Sequence, residues 1–153
     1  METRLVWKTK SFGNCYEIFS KGELTGVLRT NQWGQHPTGQ IDNISLKFIT
    51  KGLLNQKTEI INSADNKILG MISYNYQKSK GEIKIGEKSV FWKWENFWKN
   101  ELFIHDHTGT IIKYAISQGI GEITFKEYSG LLILSGMQII NMHRQLSASA
   151  LLV

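Results

Sequence analysis

Two stretches of this chain hold side chains whose types and spacing could do chemistry. The first is His105-Asp106-His107. Histidines two apart on an extended strand project to one side, which is the arrangement that supplies two ligands to a zinc site. No third or fourth ligand has a known position nearby, and Asp106-His107-Thr108-Gly109 is also good turn sequence. A hairpin turn is therefore expected there, and no metal.

The second stretch is richer. Lys78, Lys80, Lys84, Lys88, Lys93 and Lys99 face only Glu82, Glu87 and Glu95, and they enclose three of the five tryptophans, Trp92, Trp94 and Trp98. On a strand, Trp92 and Trp94 share one face, with Lys93 and Glu95 on the other. Tryptophan with lysine suits a membrane interface, where the ring sits at head-group depth and the ammonium meets phosphate. Stacking on single-stranded nucleic acid is a weaker alternative. The competing structural reading puts the rings in the core and leaves the lysines as solvated guards of strand edges. These nine residues, Lys78, Lys80, Lys84, Lys88, Trp92, Lys93, Trp94, Trp98 and Lys99, are the candidate ligand surface.

Catalytic patterns are missing. The chain has four histidines and one cysteine, Cys15, but no G-x-S-x-G, P-loop, CxxC or H-E-x-x-H sequence. The expectation is a protein that is not an enzyme and carries no cofactor. A lone cysteine forms no internal disulfide, and Met1-Glu2-Thr3-Arg4 leads into no apolar signal segment, so a cytoplasmic location is expected. Lysine and arginine outnumber aspartate and glutamate by 18 to 13, and the excess lies within residues 1–100, with 15 basic and 9 acidic groups. Such a front attracts phosphate or anionic lipid, and it also serves plain solubility.

Positioning these groups falls to a chain that reads as one domain over 1–153, long enough to bury roughly two thirds of its unfolded surface. Hydrophobic content of 41% and charged content of 20% are ordinary for a globular domain. Period-two alternation marks strands at 4–10, 15–19, 24–29, 44–50, 58–62, 67–76, 82–85, 89–94, 101–105, 110–117 and 122–125. Between them, 30–43 reads as the longest loop, because Asn31, Gly34, Pro37 and Gly39 break any period. A hairpin repeat recurs after about 43 residues: Glu17-Ile18 then Leu24-Thr25-Gly26-Val27-Leu28, and Glu59-Ile60 then Ile68-Leu69-Gly70-Met71-Ile72, with a looser copy at 102–112. Three units are too few for a propeller, so a barrel is expected.

The run Gly130-Leu-Leu-Ile-Leu-Ser-Gly-Met-Gln-Ile-Ile-Asn-Met142 closes the pattern. It is too short to span a bilayer, which takes about 20 residues, and suits a buried helix. At 100° per residue Ser135, Gln138, Asn141 and Gln145 form one narrow polar seam on an otherwise apolar cylinder. The expectation is a helix over about 129–144 enclosed by the sheet, with a tail anchor as the alternative. Gly136 makes it dependent on tertiary support.

Eleven or twelve antiparallel strands, hairpins with glycine in the second strand, and a closing apolar helix resemble the tubby C-terminal-like superfamily, which includes tubby proteins, phospholipid scramblases and LURP-one-related proteins. The resemblance covers about 5–142 and implies a closed barrel wrapped round a hydrophobic C-terminal helix. It departs from the scramblases, since Cys15 stands alone and no acidic calcium-binding cluster is present. The expected function is a non-enzymatic binding module that associates with anionic lipid or a membrane surface from the cytoplasm. The alternative is a structural or protein-interaction domain without lipid binding; an enzyme with an unrecognised pocket ranks below both.

Overall fold

The computed structural model describes residues 3–10, 14–30, 36–95 and 99–151, with side chains as far as Gln145. Twelve strands precede one helix: β1 (Thr3–Lys10), β2 (Cys15–Ser20), β3 (Glu23–Arg29), β4 (Thr38–Ile41), β5 (Ile44–Lys51), β6 (Lys57–Asn62), β7 (Ile68–Ser73), β8 (Lys80–Ile85), β9 (Lys88–Trp94), β10 (Glu101–Asp106), β11 (Gly109–Ser117), β12 (Ile120–Phe125) and α1 (Gly130–Leu151). Each strand pairs antiparallel with its sequence neighbours, and β1 also pairs with β12 from Thr3↔Phe125 to Lys8↔Ile120, so the sheet closes on itself.

Alternation decides which side chains go inside. Trp7, Tyr16, Ile18, Leu28, Phe48, Ile60, Ile72, Ile83, Trp92, Ile104, Tyr114 and Ile123 are buried, and the residues between them face outward. Large inward rings sit over inward glycines of the next strand. Trp7 lies directly across from Gly121 and Trp92 across from Gly81, and a Cβ on Gly121 would come 2.3 Å from the Trp7 indole. The hairpin repeat is physical. Register shifts fall between Ile18 and Phe19, between Ile60 and Ile61, and between Ile104 and His105, so three hairpins four strands apart carry the same bulge.

The sequence reading missed one strand. Residues 30–43 contain β4, which bridges β3 and β5 over four residue pairs on each side. Gly39 looked like a loop glycine but faces the interior, where a Cβ would lie 3.1 Å from a Leu134 methyl. Its smallness serves the helix, and an eleven-strand up-and-down sheet would have brought its first and last strands together parallel.

The helix threads this barrel. Ser129 starts it, its hydroxyl accepting from the Leu132 amide (3.2 Å) and its carbonyl from the Ile133 amide (2.9 Å). Ile133, Leu134, Met137, Ile139 and Ile140 are buried against the strands all round. The polar seam is buried at Ser135, Gln138 and Asn141 and reaches solvent at Gln145; within it Ser135 donates to the Leu131 carbonyl (2.8 Å), the Asn141 amide to Gln138 (3.4 Å), and the Tyr16 phenol to Asn141 (3.3 Å). Gly136 leaves the space that the Tyr114 ring fills, and that phenol donates to the Leu132 and Ile133 carbonyls. The helix runs past the expected end near 144, because His143 and Arg144 meet partners in the barrel wall and do not terminate it. The apolar run is thus taken up by the barrel core, as expected of an enclosed helix, and among the described residues no helix is long and apolar enough to cross a membrane.

Antiparallel succession sends connections alternately to the two ends. Residues 21–22, 42–43, 63–67, 86–87 and 107–108 turn at the end where α1 enters, beside Asp42, which accepts from the Tyr128 phenol. Residues 14, 30, 36–37, 52–56, 74–79, 95, 99–100 and 118–119 lie at the end where α1 leaves. There His143 packs on Trp94, with ring centroids 5.2 Å apart, and the Arg144 guanidinium lies over the Tyr16 ring while donating to its hydroxyl.

Candidate functional site

The exit end is where cations gather. Its connections and the strand ends that flank them carry Lys10, Arg29, Lys51, Lys57, Lys78, Lys80 and Lys99 against Glu95 and Glu101. The entry end reverses the balance, with Glu23, Asp42, Asp65, Glu87, Asp106 and Glu127 against Lys21, Lys67, Lys88 and Lys126. Some exit-end cations are neutralised: Lys10 pairs with Glu17 at 3.1 Å and Lys51 with Glu59 at 2.9 Å. Lys57, Lys78 and Lys80 enter no ion pair among the described residues.

The nine residues singled out from sequence do not stay together. Lys78 lies in the β7–β8 turn at positive φ (54°), and Lys80 opens β8 directly opposite Lys93 of β9, both outward. Like charges facing across a ladder repel; Glu82, two residues on from Lys80, shares their face, and Glu95 lies 3.9 Å from Lys93. Lys99 belongs to the same end, where its charge acts on His143. Lys84, opposite Ser89, and Lys88, opposite Ile85, sit toward the entry end. Lys88 there lines a cavity of about 320 Å³ with Asp106, Glu127 and Ser129.

The tryptophans part from the lysines. Trp92 is 1% exposed and Trp94 8%, both on the inner face, because alternation that sends Lys93 outward sends its neighbours in. They act as core rings and not as part of an outward aromatic surface. Trp98 lies outside the described residues. Trp92 does touch the outside at one seam. β7 and β8 pair over three residue pairs, Gly70 to Ile72, then part, and the Trp92 indole donates to the Ser73 carbonyl (3.0 Å) across the gap. Outside this seam runs a groove of about 510 Å³ lined by Tyr74, Asn75, Phe91, Lys80, Lys93 and His105. Tyr74 stacks edge-on against Trp92 and its phenol is tied to Thr58, so burial pushes its ionisation well up.

Asp106, His105 and Cys15 have local structural surroundings. The Asp106 carboxylate accepts from the Thr108 hydroxyl and amide, which holds its pKa below the ordinary carboxylate value. His105 stacks on Phe91 with centroids 6.0 Å apart, and burial pushes the Cys15 thiol up, away from the reactive thiolate.

One feature escaped the sequence reading. Leu53 and Leu54, in the β5–β6 turn, are 94% and 79% exposed, and Tyr76, in the β7–β8 turn, is 88% exposed. The signal was two adjacent leucines between Gly52 and Asn55, where polar turn residues are normal, with Lys51 and Lys57 on either side.

No protein-family model, no curated protein and no solved structure matches the chain.

Proposed function

We propose that this chain is a non-enzymatic, tubby-like binding module that attaches to anionic phospholipid through the exit end of its barrel. The order of elements, twelve strands closed round a C-terminal helix, supports the superfamily. The observation that carries the lipid reading is the end-to-end charge division, with Lys57, Lys78, Lys80 and the opposed Lys80–Lys93 pair crowded at one rim and the turn carboxylates at the other. Uncompensated lysines at a rim are each worth about 1 kcal/mol near an anionic surface. On this reading the protein works at the cytoplasmic leaflet, where anionic lipid concentrates, and stays peripheral to it.

Co-sedimentation with phosphatidylcholine vesicles, with and without phosphatidylserine, tests the proposal. Binding is expected only to the serine-containing vesicles and should weaken steeply as salt shortens the screening length. Absence of binding at low salt would reject the lipid reading and leave a structural or protein-interaction domain.

A further inference from the structure

The most exposed apolar side chains of the described barrel all stand at that same basic rim. Leu53 and Leu54 crown one turn and Tyr76 the turn two strands further on, about 10 Å away by strand spacing. Neither turn can fold its apolar residues inward. The Lys51↔Lys57 pair fixes where β5 and β6 end, and Gly52, at φ 97°, bends the chain tightly enough that a Cβ there would come 2.9 Å from the Asn55 carbonyl oxygen. In the other turn Asn75 accepts from the Ser79 and Lys80 amides and donates to the Ser79 hydroxyl, holding Tyr76 on a closed loop.

We infer that Leu53, Leu54 and Tyr76 are insertion points, which enter the interfacial layer of an anionic bilayer and stand the barrel upright with its helix-exit end against the membrane. The inference rests on the lipid reading above and adds how the protein is seated. Charge complementarity selects this occupant: Lys57, Lys78 and Lys80 flank the three side chains with no acid paired to them, so head-group phosphates meet the ammonium groups as the apolar tips pass below. The tips are points on two convex turns, not a continuous apolar area such as the core of a stable protein interface requires. A fluid layer closes round separate points.

The test uses the full chain with Cys15→Ser and a single label site, Leu53→Cys, carrying an environment-sensitive dye. On phosphatidylcholine–phosphatidylserine vesicles the dye should shift to the blue and brighten, whereas the same dye at Leu24→Cys, exposed at the opposite end, should not. The unlabelled double variant Leu53→Ser/Leu54→Ser should lose at least tenfold in vesicle partitioning with an unchanged melting temperature, as expected for removing two inserted apolar side chains. If the wild type binds these vesicles while the Leu53 dye stays aqueous and the double variant binds equally well, insertion is overturned and the charge reading stands. If the wild type does not bind at low salt, both fall. If light scattering shows that the double variant instead breaks a self-associated form, the leucines belong to a contact between copies, and the inference is wrong.

Discussion

A missing Cβ matters more in this core than most side chains present in it. At Gly136 a methyl group would lie 2.1 Å from the Tyr114 hydroxyl and 2.2 Å from its ring carbon, and Tyr114 cannot retreat because its phenol is bonded to the same helix. Overpacking of this kind costs about 1–3 kcal/mol, and the doubly anchored ring puts Gly136→Ala at the upper end of that range. Urea denaturation should show it, despite alanine's better helix propensity. His143 supplies a pH signature at the same scale. Partial burial against Trp94, then the nearby Lys99 charge, hold its pKa below the ordinary histidine value. The unfolded chain therefore takes up the proton first as pH falls below about 6.5, and folding stability is lost from there down to the folded-state value. Above that window the effect is absent. His143→Gln should flatten this part of a stability-versus-pH profile measured from denaturant midpoints.

Strands and helix differ in how openly the chain announces them. Eleven strands and the axial helix were legible because period-two alternation and an uncharged apolar run reflect which faces are buried, and burial is what the fold requires of them. The inward placement of Trp92 and Trp94 was contained in that same alternation. β4 was not legible, since Pro37 and Gly39 carry turn propensity and the reason for Gly39, room for Leu134, lies 95 positions away. That single omission also broke up the basic rim. Each strand reverses the chain, so one strand too few swaps the ends of all later connections relative to the earlier ones, and Lys10 and Arg29 then no longer fall at the same end as the Leu53–Leu54 turn, the Tyr76 turn and the helix exit. The helix itself tolerates little change of polarity. Leu134 is fully buried between Gly39 and the rest of the core, and Leu134→Asp should leave an unpaired charge there and prevent soluble, cooperative folding, whereas Leu134→Met should fold. Soluble yield and the sharpness of a thermal melt would decide, and a cooperatively folded aspartate variant would contradict the enclosed helix.

At the scale of the whole molecule, net charge of +5 says less than its distribution. If the exit rim binds anionic lipid, location and not total charge must govern affinity. Lys57→Glu/Lys78→Glu/Lys80→Glu and Lys21→Glu/Lys67→Glu/Lys126→Glu change net charge equally. The first set should abolish vesicle co-sedimentation and the second should leave it largely intact; equal losses would mean unspecific attraction to a basic protein. The pairing of β1 with β12 has a different outcome, in time and not in space. Its partners, Thr3 and Phe125, are nearly a whole chain apart, and the helix around which every strand packs is translated after all of them. Through most of its synthesis the chain therefore has neither a closed edge nor a core, and its open strands wait for the last segment. Closure of the barrel must therefore come late, and the sheet edges exposed in the interval are the expected route to aggregation.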